Sequence, residues 1–223
     1  MGPAYARSVD TACEARYADG MTEHNLETLK DSHALKQATP EQIEAAVRDE
    51  DIRSCIDEAW VHEGDLVLDG DLGLYGGAVL IVDGDLTLTG SAATDETATL
   101  VVTKNLTGRH LFLEGNLEVH GDAKLRGVVY GFYEAGVSFV YGSTTAKVGL
   151  FGNHCWECDD EHYEVDVRFS NYRALRSGDA EALRALMGDD DFRKIAKLIG
   201  VSDEDPPGRN AAWGLGPFDK IAP

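Results

Sequence analysis

Two stretches of this chain read almost alike at an offset of twenty residues: Leu80-Ile81-Val82-Asp83-Gly84-Asp85-Leu86 and Leu100-Val101-Val102-Thr103-Lys104-Asn105-Leu106. A third copy, Trp60-Val61-His62-Glu63-Gly64-Asp65-Leu66, precedes them by the same interval. A fixed period of this length marks a solenoid, in which each repeat buries its apolar face only by stacking on its neighbours. A shorter unit is nested inside. Gly64-Asp65-Leu66-Val67-Leu68-Asp69-Gly70 returns as Gly84-Asp85-Leu86-Thr87-Leu88-Thr89-Gly90 and as Gly115-Asn116-Leu117-Glu118-Val119-His120-Gly121.

Within a unit, Leu66 and Leu68 point one way while Asp65, Val67 and Asp69 point the other. A period of two is a strand with one buried face. Gly followed by Asp or Asn marks a corner, because these residues tolerate positive φ. Three short strands with their corners fill one triangular coil, and successive coils stack about 4.8 Å apart. Residues 60–152 therefore hold about four to five coils, a rod roughly 20 Å long. The rival is an antiparallel sandwich of hairpins, which would alternate similarly but has no reason to keep side chains at a fixed offset. Ser91–Thr99 is polar and reads as an enlarged corner. Later coils are looser, and Tyr130, Phe132, Tyr133, Phe139 and Tyr141 read as rings filling a widening core.

The Gly-Asp-Leu units, with Val129-Tyr130-Gly131-Phe132-Tyr133-Glu134-Ala135-Gly136 and Val140-Tyr141-Gly142, resemble bactofilin-like proteins, the bacterial polymer-forming cytoskeletal β-helices. The resemblance covers about ninety of the 223 residues, on motifs shared by many solenoids. It implies a right-handed parallel β-helix without catalytic residues. Bactofilins proper polymerise end to end. Similar short solenoids encoded beside bacterial toxins imply immunity proteins.

The flanks depart from that family, whose solenoids usually carry short flexible tails. Thr39-Pro40-Glu41-Gln42 is a capping box with proline at the first helical position. Ile43, Ala46, Val47, Cys55, Ile56, Ala59 and Trp60 continue an apolar stripe into the first strand. On the far side, His162–Phe169 alternates like one more strand. Asp179 then caps a helix through Met187, and Phe192–Ile199 forms a second that ends at Gly200. The expected class is mainly β: a helical N-terminal flank and cap over 1–59, the parallel β-helix over 60–152, and an extra strand, helical C-terminal cap and tail over 153–223. Capped ends would oppose end-to-end growth, so a monomer or small homo-oligomer is expected.

Charge narrows the partner. Acids outnumber bases 40 to 20, for a formal net charge of −20. The excess runs along the whole chain: 13 acids against 6 bases through Ala59, 12 against 5 through Gly152, and 15 against 9 beyond. Such a surface repels nucleic acid and anionic lipid. Either it steers in a protein with a basic surface, such as a toxin domain that itself holds nucleic acid or nucleotides, or it serves only to keep the chain in solution. The densest clusters, Asp159-Asp160-Glu161 and Asp189-Asp190-Asp191, are the expected partner-binding residues. No apolar run is long enough to span a membrane, and Met1–Asp10 lacks the apolar core of a secretory signal, so the cytoplasm is the expected location.

The most reactive-looking stretch is Asn153–His162. It offers four zinc donors: His154, Cys155, Cys158 and His162. Zinc takes four N or S ligands in a tetrahedron, and C-x-x-C supplies two from one turn. No second pair follows downstream, so a loop with reduced thiols competes with a zinc site and with a redox pair. No cofactor is otherwise expected. His62, His110 and His120 lack coherent spacing, and acid pairs such as Asp69/Asp71 and Asp83/Asp85 suit solvated corners better than hydrolysis. No phosphate loop, nucleophile elbow or H-E-x-x-H occurs. The chain reads as a binder and not an enzyme: an immunity-type protein, or alternatively a bactofilin-like self-assembling scaffold.

Overall fold

The computed structural model describes residues 22–33, 35–132 and 135–169. The expected C-terminal helices, Asp189-Asp190-Asp191 and the tail lie outside the described residues. The chain enters through β1 (Glu23–His24), α1 (Leu26–Ser32), β2 (Lys36–Gln37), α2 (Pro40–Ala46) and α3 (Glu50–Ser54). The solenoid follows in layers. The first is β3 (Trp60–Glu63), β4 (Leu66–Leu68) and β5 (Asp71–Leu74), and the second is β6 (Val79–Asp83), β7 (Leu86–Leu88) and β8 (Ala92–Thr94). The third is β9 (Thr99–Val102), β10 (Leu106–Gly108) and β11 (Leu111–Leu113), and the fourth is β12 (Asn116–Val119), β13 (Ala123–Leu125) and β14 (Val128–Phe132). In the last two layers a single long strand runs round the coil, β15 (Val137–Gly152) and then β16 (Cys155–Phe169). The result is a parallel β-solenoid of about five turns.

Parallel pairing decides against the hairpin sandwich. Leu66, Leu86, Leu106 and Ala123 are successive register partners. On the first face, Leu80, Leu100, Leu117, Ser138 and Trp156 form a second inward column. Leu72, Ala92, Leu111 and Val129 form a third. All three columns feed one apolar core. The offset on the first face is 20 residues from Trp60 to Leu80 to Leu100. It drops to 17 between Leu100 and Leu117 and rises to 21 between Leu117 and Ser138. The looseness visible in the later repeats is thus a change in corner length, with one register shift between Val140 and Ser143 where β15 pairs with β16.

Two local readings need correction. Ser91–Thr99 is no enlarged corner: it contains β8 and a tight turn, with Ala92 and Ala93 buried. Its polar residues are consumed by the turn, where Asp95 accepts from the Gly76 and Thr97 backbone N–H groups. The glycines do not all serve positive φ either. Gly64 has φ +94, but its counterpart Gly84 is there because a Cβ would collide with the Gly64 backbone one coil below.

Corner acids hold the layers together. Asp65 Oδ1 accepts the Asp85 N–H at 2.9 Å, Asp85 Oδ1 accepts the Asn105 N–H at 2.9 Å, and Asn105 Oδ1 accepts the Asp122 N–H at 2.9 Å. Asp122 continues the series by accepting from the N–H and hydroxyl of Ser143, each at 3.0 Å. The N–H from the next coil is the main reason the Asp65 and Asp122 carboxyls sit below the ordinary range, with Lys104 and Lys124 assisting.

The N-terminal segment departs from the stripe the sequence offered. The helical run breaks at Val47 and restarts behind the Asp49 cap. It lies along the first face, where Val47, Ile52 and Ala59 pack on the outward residues Val61, Ile81 and Val101. The first coil is met by other elements. β1 adds in parallel to β5, β2 pairs antiparallel with β3, and Leu29 and Leu35 are buried in the main core. Replacing Leu100, 1% exposed at mid-column, by alanine is expected to cost about 2–5 kcal/mol, read as a lower denaturant midpoint at unchanged slope.

Candidate functional site

Asn153 and His154 lead into β16, which holds the rest of the reactive-looking stretch and pairs with β15 from Val137/Cys155 to Gly152/Phe169. This conformation, not a turn, sets what its side chains do. Along an extended strand Cys155 and Cys158 lie about 10 Å apart, and an offset of three sends them to opposite faces. Cys155 is exposed, while Cys158 follows Val140 in an inward column and donates to the Asp160 carbonyl at 3.3 Å. Burial, reinforced by Glu157 at Cys155, raises both thiols and disfavours the nucleophilic thiolate. The His154 ring fills the space left by the missing Cβ atoms of Gly131 and Gly136, and its Nε2 meets Ser138 Oγ at 2.8 Å. His162 faces outward beside Asp160 at 3.1 Å. The four expected zinc donors are therefore spread over a strand. Among the described residues no group of three or more His, Cys, Asp or Glu could hold a metal ion.

The same strand carries Glu157, Asp159, Asp160, Glu161, Glu164 and Asp166. Asp159 and Asp160 are exposed, as a partner-binding role requires. Glu161 is different. It follows Thr144 in an inward column and is engaged by Arg168, which also binds Asp166 at 3.1 Å. The exposed carboxylates around this one neutralised cluster form an acidic strip along the last layer.

A second arrangement escaped sequence reasoning. Glu118 is fully buried, although it stands in the outward column Val61, Ile81, Val101, Glu118, Phe139, Glu157. Its carboxyl accepts the Arg48 N–H at 2.7 Å and the Asp49 N–H at 3.2 Å, and His120 Nε2 lies 2.8 Å away. Arg48 covers the Tyr141 ring at 4.9 Å, and His120 meets the same ring edge-on. Glu118 thus clasps the link between α2 and α3 to the fourth layer. The signal was available: aligning Leu117-Glu118-Val119 with Leu100-Val101-Val102 puts one acid in an aliphatic column.

His110 is buried at the corner before β11, and its Nδ1 accepts the Val128 N–H at 2.9 Å. Burial, aided by Arg109, Arg126 and Lys147, pushes its pKa down to about 3. No family model matches the chain, and neither a curated protein nor a solved structure does.

Two outcomes follow from these buried groups. Glu118→Ala leaves two backbone donors and His120 without an acceptor. It is expected to cost about 3 kcal/mol, with faster amide exchange at Arg48 and Asp49. For His110 the folded pKa lies below the unfolded value near 6.5, so the unfolded chain binds the extra proton. Its stabilising contribution is complete above pH 6.5 and is lost toward pH 3, at about 1.4 kcal/mol per unit. Denaturant titrations from pH 7 to pH 4 should show this slope, and His110→Asn should flatten it.

Proposed function

We propose that this chain is a non-catalytic binding protein of the immunity type. It neutralises a cognate bacterial toxin by covering a basic surface on it. The observation that carries the reading is the acidic margin of the last described layer, where Glu157, Asp159, Asp160 and Glu164 are exposed as β16 runs round the coil. Carboxylates ringing one layer raise the encounter rate with a cationic partner and reject anionic ones. We take the coils to wind right-handed, as almost all crossovers between parallel strands of one sheet do. We place the protein in the cytoplasm; among the described residues no helix is long and apolar enough to cross a membrane.

The bactofilin-like scaffold remains the second reading, favoured by one observation: among the described residues β16 pairs only with β15. A second solenoid could add to its other edge. Against it stand β1, β2 and the buried Leu29 and Leu35 at the first coil, which act in this reading as a cap on the opposite end.

Growth rescue tests the leading reading. The reading frame neighbouring this gene, expressed alone, is expected to arrest a bacterial host, and co-expression of this chain to restore growth. Asp159→Lys with Asp160→Lys should abolish rescue while the melting temperature holds. Rescue that survives this charge reversal would sink the role given to the strip. Light scattering separates the scaffold: mass that climbs steadily with concentration would favour it over a discrete binder.

A further inference from the structure

A recess of about 430 Å³ opens beside the first coil, between α1, the residues leading into β3 and the turn after β5. Its volume falls within the range of small-ligand sites. Three observations define its chemistry. The Trp60 indole lines it, and Lys30 Nζ sits 4.1 Å from that ring's centroid. Carboxylates stand on two walls: Glu27, which holds Lys30 Nζ at 2.7 Å, and the exposed Glu58. The turn glycines Gly76 and Gly77, which could have offered N–H groups to an anion, have spent them on Asp95 and Thr97 at 2.7 and 2.8 Å. An aromatic face flanked by carboxylates, with the turn donors engaged, selects a cation.

We propose that this recess is the seat for an arginine side chain of the partner protein, and that Lys30 holds the place of that cation in the free chain. The partner's identity rests on the function proposed above; the chemistry of the seat does not. Lys30, itself half-buried, is held by an ion pair to the exposed Glu27 and one aromatic contact, both weak enough to exchange. A guanidinium is planar, is less strongly hydrated than an ammonium and stacks better on an indole. It therefore displaces Lys30 into solvent and takes up the carboxylates. This seat adds a specific anchor to the diffuse attraction of the acidic strip, as buried Trp and Arg contacts do at interface centres.

The probe is a capped Gly-Arg-Gly peptide titrated into the full chain, with the Trp60 indole N–H followed by NMR and assigned through Trp60→Phe. The citrulline analogue, equal in shape and uncharged, is the control. The arginine peptide is expected to shift the Trp60 signal saturably and the citrulline peptide to leave it in place. Lys30→Ala, which removes the resident cation, should tighten binding by about fivefold, and Glu58→Gln should weaken it. An equal response to citrulline, unchanged or weaker affinity in Lys30→Ala, or no shift up to tens of millimolar peptide would each overturn the seat. Shifts confined to β16 would also remove it while leaving the acidic strip standing. Failed growth rescue with the Trp60 response intact would remove the toxin reading and keep the seat.

Discussion

The stacking of one coil's aliphatic side chains on the next is the contact on which everything else depends. Leu66, Leu86 and Leu106 touch nothing that a lone strand could supply; each is buried because a neighbour sits directly above or below it. The backbone repeats the arrangement, since N–H groups at the corners also reach the previous coil, as Gly90 does to Gly70 at 2.9 Å. A solenoid gains stability one interface at a time, so its ends are the weak places. At the first coil the chain meets this weakness with β1, β2 and two buried leucines.

The features legible in the sequence were those that repeat. Leu80 and Leu100 announce a shared column because nothing but a fixed coil length keeps them in step. Features that occur once were hard to read. The break between α2 and α3 rests on Asp49 capping a new helix, which the apolar stripe from Ile43 to Trp60 conceals. C-x-x-C looked like a metal turn because spacing along a chain does not say whether the chain is bent. Pairing with β15 keeps Cys155–Cys158 extended, and that information lies in Val137–Val140. His154 is similar: its partner Ser138 and the clearance at Gly131 and Gly136 are contributed by other layers. The Trp60 recess draws on α1, β3 and the turn after β5, and no local pattern joins those three.

Acidity has two duties in this fold, and they divide by position. At the corners, Asp65, Asp85 and Asp122 turn a carboxylate toward the N–H of the next coil, which relieves repulsion between acids stacked at strand spacing. On β16 the acids lie on the last described layer, which pairs only with β15 among the described residues. The corner carboxylates of Asp65 and Asp122 keep their charge while they hold the coils together, because the bonds they accept favour the ionised form.

The Glu118 clasp ties Arg48 to a residue 70 positions later. During synthesis at about 5–20 residues per second, the α2–α3 link is exposed for several seconds before its anchor is made. Throughout that interval the outward aliphatic row of Val61, Ile81 and Val101 lacks the acid that fastens its cover. The nascent chain thus passes through a stage with an open apolar flank, and a chaperone that binds short hydrophobic segments would find its substrate there.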